Sequence, residues 1–128
     1  LHFTVSESGD RVWADFNAGA LYEGPPGHLH GGVIGMLLDQ ALGEVAATCG
    51  RPGLTAFLHI DYKAPTRLNA PLRIEAWYDR EEGVKTWTRG HIITADGTVC
   101  AEAEGLFILP RWLRELPPEE VVKRYQRD

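Results

Sequence analysis

The chain has 128 residues, 44% hydrophobic and 24% charged, an ordinary globular composition and the length of one domain, with a core over about residues 11–109 and a tail over 110–128. Thirteen Lys and Arg against eighteen Asp and Glu give a formal charge of −5, which argues against nucleic acid as the main partner. Cys49 and Cys100 sit in no CxxC, and there is no bilayer-length apolar run and no signal-peptide pattern, so a soluble cytoplasmic domain with no membrane partner is expected.

In chain order, Arg11–Phe16 alternates as a strand, with Val12, Ala14 and Phe16 on one face. A loop over residues 18–30 follows, held out of regular structure by Gly19, Gly24, Pro25, Pro26 and Gly27. Gly31–Thr48 reads as a helix about 27 Å long. It is apolar nearly all round, which predicts a buried helix, and Gly50, Arg51, Pro52 and Gly53 end it.

Four more strands are predicted. Leu54–Lys63 alternates strictly, with Leu54, Ala56, Leu58, Ile60 and Tyr62 on one face and Thr55, Phe57, His59, Asp61 and Lys63 on the other. Leu72–Asp79, Val84–Thr94 and Val99–Leu109 follow, and the short links 79–83 and 95–98 suit antiparallel hairpins. Pro117 and Pro118 introduce a short helix over Glu119–Arg127. The fold class is therefore α+β, one buried helix against a five-stranded curved antiparallel sheet. Phe57, Trp77 and Trp87 point away from the helix and are large for solvent, so self-association is expected.

The chemistry gathers at that helix. His30-Gly31-Gly32 leads straight into it, and a helix N-terminus offers unpaired N–H groups and partial positive charge to an anion or oxyanion. Asp39 lies in mid-helix among apolar residues. At about 100° per residue, Gly35 and Gly43 fall about 40° to either side of it and Gly32 and Ala46 about 20° away. Close packing explains the small residues, at about 1 kcal/mol per glycine in a helix. It gives no reason for the carboxylate. His28 and His30 lack the further ligands that a catalytic metal needs, so no metal is expected, and His30 is read as fixing the loop by hydrogen bonds. There is no GxSxG, GxGxxG or P-loop, and Cys49 reads as packing.

Tyr22-Glu23-Gly24-Pro25-Pro26-Gly27-His28-Leu29-His30-Gly31-Gly32, then Asp39, Thr55 and Asp61-Tyr62-Lys63-Ala64-Pro65, together resemble the hotdog-fold acyl-CoA thioesterases of the PaaI/THEM type. The resemblance implies a hotdog fold and a homodimer, often paired into a tetramer, with two sites at the interface. It implies that Gly31 offers its N–H to the thioester carbonyl. Asp39, from the other subunit, attacks or activates water, Thr55 helps, and Lys63 lies near the coenzyme. The catalytic set is then Asp39, Gly31, Thr55 and His30, with Gly32, Asp61, Lys63, Lys85 and Arg89, joined by Arg67, as substrate-binding residues. Many PaaI-type members carry Asn six residues before the His. This chain has Gly24 there, so no loop side chain is given a catalytic role.

The expected activity is hydrolysis of an acyl-CoA thioester, with coenzyme A as part of the substrate and no resident cofactor. One rival is a hotdog hydratase or dehydratase acting on enoyl or 3-hydroxyacyl thioesters, which usually joins a His to a carboxylate. Others are a non-catalytic acyl-CoA sensor and a structural partner protein; fold alone does not choose among them.

Overall fold

The computed structural model describes residues 1–19, 22–115, 117, 119 and 120. Its elements are β1 (Thr4–Val5), β2 (Arg11–Phe16), α1 (Gly31–Thr48), β3 (Leu54–Tyr62), β4 (Leu72–Glu82), β5 (Lys85–Thr94), β6 (Val99–Ile108) and α2 (Arg111–Arg114). All pairings are antiparallel, in the order β1-β2-β4-β5-β6-β3. The α+β class is as expected, with six strands in place of five. The additional β1 is two residues long, too short to show alternation, and pairs Thr4 with Trp13 and Val5 with Val12. The short helix α2 was not foreseen, and the helix expected over Glu119–Arg127 falls almost wholly outside the described residues.

The sheet's inner face is built from β-formers and small residues that let α1 come close. Leu42 is fully buried. A Cβ added at Gly90 would lie 3.2 Å from Leu42 Cδ2, and one added at Gly105 would lie 3.1 Å from Cδ1. The Leu42 methyls therefore rest over two glycines of β5 and β6. Buried Thr88 Oγ1 donates to Leu42 O at 3.0 Å, which ties the middle of α1 to β5. At the helix's end Arg51 donates from Nε to Thr86 Oγ1 at 2.7 Å and pairs with Glu81 at 2.8 Å, stapling the exit to the β4–β5 hairpin.

Burial of α1 differs from the expectation. Ile34, Leu38, Ala41, Leu42, Val45 and Ala46 are buried, whereas Met36 is 60% exposed. One sheet curls around one side of a helix only. On the other side Val33 and Leu37 are only partly buried, and Met36 is left largely uncovered by the described residues.

On the outer face, Arg11 stacks over Trp77 at 5.1 Å and Arg80 over Trp87 at 4.3 Å, so both tryptophans are half-buried, while Phe57 on β3 stays 48% exposed. Glu75, between His91 (2.7 Å) and Arg11 (3.5 Å), is the most protected carboxylate of this face. Burial pushes its pKa up, but the His91 hydrogen bond and the Arg11 charge together outweigh this and hold it below the ordinary value.

Two predictions follow from this packing. Gly90→Ala places a Cβ 2.6 Å from Glu75 O and against Leu42, and should destabilise by about 1–3 kcal/mol, read as a lower urea midpoint at unchanged slope. Glu75 has a lowered pKa in the fold, so its contribution is present above the ordinary glutamate range and is lost as pH falls through the lowered value. Glu75→Gln should therefore flatten the acid limb of stability against pH, measured by urea unfolding between about pH 6 and 3.

Candidate active site

The loop before α1 is a folded-back turn. Glu23 bridges Leu29, Gly24 N–H donates to His28 O at 3.0 Å, and His30 N–H donates to Tyr22 O at 2.8 Å. Leu29 N–H donates to Thr66 O at 2.8 Å, anchoring the turn to the segment after β3. A Cβ at Gly24 would lie 2.9 Å from His30 Cα, so the residue where many PaaI-type proteins carry Asn leaves no room for a side chain here.

His30 is the N-cap of α1, in extended backbone with φ −63° and ψ 134°. Its Nδ1 accepts from Gly32 N–H at 2.8 Å, so the ring carries its proton on Nε2 when neutral. The Gly32 amide is thereby used within the chain. The Gly31 amide has no acceptor among the described residues. No acidic side chain lies in the first turn to neutralise the helix's partial positive charge. The one amide left free thus sits where an oxyanion is best received.

Asp39 and Thr55 meet at the other half of the site. Thr55 Oγ1 donates to Asp39 Oδ1 at 2.8 Å, and Oδ2 has no donor among the described residues. The pair lines a cleft of about 210 Å³ with Gln40, Gly43, Gly53 and Phe107. Strict alternation assigned Thr55 to the face of β3 away from Leu58 and Ile60. A β-bulge at Ala56 corrects this, since Thr55 pairs with Phe107 and Phe57 with the adjacent Leu106. One extra residue shifts the face of everything beyond it, so Thr55 joins Leu58 and Ile60 on the helix side. The glycine stripe also has an explanation within the chain. Cβ atoms at Gly35 and Gly43 would lie 3.2 Å from Ile60 and 3.4 Å from Phe107, so β3 and β6 pack directly on these positions.

The cations divide into two groups. Lys63 and Arg67 lie exposed near the Gly31 end, Lys63 directly after β3 and Arg67 bridged to His28, with no ion pair among the described residues. Lys85 is level with Leu54 across β6, at the opposite end of β3, about 30 Å away along the strand. Arg89 lies on the outer face, held by Glu104 at 2.6 Å and Asp79 at 3.5 Å. In one chain, Lys85 and Arg89 are therefore not brought together with Lys63. Asp61 is also on the outer face, 3.1 Å from His59 Nε2. Burial pushes the Cys49 thiol up, and its Sγ donates to Ala46 O at 3.2 Å, the behaviour of a packing residue. A cleft of about 660 Å³ between Asp15, Arg73 and Gly97 contains none of the candidate residues.

Tyr62 is the contact that residue-by-residue reading missed. Its phenol donates to Gly31 O at 2.7 Å. Its place on the Ile60 face of β3 was legible, but not that the strand end reaches the first turn of α1.

One helix laid in a curved antiparallel sheet, with an open amide at the helix start and a hydroxyl-supported carboxylate farther along it, defines a hotdog fold of thioesterase type. The thioesterase superfamily model matches residues 26–101, and the chain belongs to that superfamily. Acyl-coenzyme A thioesterase THEM4 of Xenopus laevis is 36% identical over 94 residues, which cover 73% of this chain and 42% of that protein. The Bos taurus THEM4 is 36% identical over 94 residues and is covered to 38%. The chain thus spans about two-fifths of the length of these relatives. A solved thioesterase superfamily protein superposes with a TM-score of 0.80 at 42% identity, over 83% of this chain and 54% of that one. Escherichia coli PaaI, from the phenylacetic acid degradation operon, shares the fold with a TM-score of 0.77 at 16% identity, over 85% of this chain and 78% of that one.

The His30 cap yields a prediction. His30→Ala should cost about 1 kcal/mol of stability, and His30→Asn, which restores a capping acceptor, should recover most of it in urea unfolding.

Proposed function

We propose that the chain hydrolyses an acyl-CoA thioester as a homodimer, alone or paired into a tetramer, with each site shared between two subunits. The observation that carries this is the distance along α1. Gly31 and Asp39 are eight residues apart on one rigid helix, about 12 Å of rise. Attack on a carbonyl needs oxyanion donors about 3 Å from the oxygen and a reacting group about 3–3.5 Å from the carbon. One chain cannot bring both to one carbonyl. Two chains with antiparallel helices can, and they also cover apolar surface such as Met36 and Phe57.

In this reading Gly31 N–H receives the developing oxyanion at the positive end of α1. Asp39 takes the proton of the attacking water, or attacks the carbon itself, and Thr55 fixes Oδ1 so that Oδ2 faces the reaction. The carbon–sulfur bond breaks and the thiolate leaves as coenzyme A with a proton from the water; where Asp39 itself attacks, water then hydrolyses the acyl anhydride on Asp39, and the free acid leaves with the carboxylate restored. His30 holds the Gly31-Gly32 start in place. Lys63 and Arg67 are the cations near Gly31 available to the coenzyme phosphates. Lys85 of the second subunit can join them, whereas Arg89 and Asp61 have partners of their own. The curated relatives are named acyl-coenzyme A thioesterases, and a Streptococcus mutans protein of the same fold (TM-score 0.78, 21% identity, over 86% of this chain and 90% of that one) is bound to acetyl-CoA, which supports this substrate class. A cytoplasmic location and independence from a resident cofactor or metal complete the proposal. The hydratase alternative lacks a His–carboxylate pair at the site among the described residues, where His30 is held by Gly32 and not by an acid.

The test is thiol release from a panel of acyl-CoAs by wild type, Asp39→Asn and Gly31→Pro, with thermal melts and sedimentation alongside. Asn keeps the shape of Asp39 and loses its basicity, so kcat should fall by about two orders of magnitude or more. Proline suits the first helical position, and His30 already has the extended backbone that proline requires before it. Gly31→Pro therefore deletes the amide donor while keeping the helix start, and should cost about 10²–10³ in kcat. A chain carrying both changes, mixed with wild type, distinguishes the arrangements. Shared sites leave the mixed dimer inactive, and sites within one chain leave it half active. A fully active monomer would refute the shared site; tight binding without thiol release would identify a sensor.

A further inference from the structure

We infer that Tyr62 is a positioning residue that fixes the Gly31 amide, acting through the peptide unit between Gly31 and Gly32. This rests on the thioesterase reading for its catalytic consequence, but its structural part stands separately.

The peptide joining Gly31 to Gly32 is held from both sides. Tyr62 donates from its phenol to the carbonyl oxygen at 2.7 Å, and His30 Nδ1 accepts from the N–H at 2.8 Å. The His30 carbonyl in turn accepts from Val33 N–H at 3.0 Å and Ile34 N–H at 3.1 Å. Every polar group flanking the Gly31 amide is thus engaged, and the amide itself is free among the described residues. The Tyr62 bond is not needed to satisfy the Gly31 oxygen, because α1 supplies the N–H four residues on. A phenol on a 56% exposed residue, at an edge strand, makes this surplus contact where it could have hydrogen-bonded to water.

Two successive glycines explain the need for it. Glycine has the widest backbone freedom, so a Gly-Gly helix start samples more orientations than any other pair. An oxyanion donor stabilises a transition state only if it is already aimed when charge develops. The Tyr62 ring lies 3.7 Å from where a Gly31 Cβ would stand, and its hydroxyl 3.9 Å from a Gly35 Cβ. Tyr62 therefore lies across the side of the first turn formed by Gly31 and Gly35, at ordinary van der Waals distance.

The test uses the full chain in its native assembly. Tyr62→Phe keeps the ring and removes the donor. Thiol-release kinetics should show kcat about tenfold lower at unchanged KM, because the contact serves a group used only in the transition state. In the Gly31→Pro background, where no amide remains to be aimed, Tyr62→Phe should add little further loss. Amide exchange followed by NMR should show the Gly32 N–H exchanging several-fold faster in Tyr62→Phe, with the buried turns of α1 unchanged. A wild-type kcat together with a wild-type Gly32 exchange rate overturns the proposal. Full additivity with Gly31→Pro also overturns it, because Tyr62 would then act elsewhere. If wild type releases no thiol from any acyl-CoA, the thioesterase reading fails, and the exchange measurement decides the clamp: faster Gly32 exchange supports it and an unchanged rate refutes it.

Discussion

Leu42 holds α1 to the sheet by two independent contacts, its methyls lying over Gly90 and Gly105 and its carbonyl accepting from Thr88. Side chains at either glycine would lift the helix from the sheet. With the helix seated, the positions of its first turn and of Asp39 are set relative to β3, and both halves of the candidate site depend on β3. Tyr62 reaches the first turn from one end of that strand, and Thr55 reaches Asp39 from near the other. The sheet therefore supports the site as well as burying the helix.

That geometry has a consequence for assembly. The helix carries the Gly31 amide and the Asp39 carboxylate about 12 Å apart, which under the proposed function makes each chain the holder of two half-sites. Met36 on α1 and Phe57 on the outer face of β3 are exposed, and β3 is an edge strand with no partner on one side among the described residues. In the proposed dimer a second chain would cover this surface and complete the site at the same time. Under that proposal association and catalysis would both draw on β3, and a substitution there would affect both.

The electrostatic arrangement is economical. The first turn of α1 has no acid, His30 takes the Gly32 amide, and the Gly31 amide is left as the open donor. Most of the strong ion pairs lie away from this point. Arg89 pairs with both Asp79 and Glu104 on the outer face, and Arg73 holds Asp15 at 2.7 Å. Lys63 and Arg67 are left unpaired among the described residues, near the Gly31 end of α1 where the proposed function puts the coenzyme phosphates.

Much of this was legible from residues alone. The helix Gly31–Thr48, the four long strands and the pairing of short links with hairpins follow from periodicity and from glycine and proline, which act over a few residues at a time. Asp39 stood out because a carboxylate amid Met36, Leu38 and Leu42 has a desolvation cost that close packing does not explain. Other features depended on contacts between segments distant in the chain. The bulge at Ala56 turned Thr55 onto the helix, although an unbroken alternation assigned it to the other face, and no local signal marks a bulge that is set by how β6 pairs. The cations Lys63 and Lys85, alike as sequence, were separated by a sheet whose length placed them at opposite ends. Tyr62 became a partner of Gly31 only through the crossing of β3 over the first turn. Sequence by itself determined the elements and the residue types capable of the chemistry, because those depend on short-range sterics and solvation. Tertiary structure alone decided which of those residues meet, because register and helix seating are set by packing summed over the whole sheet.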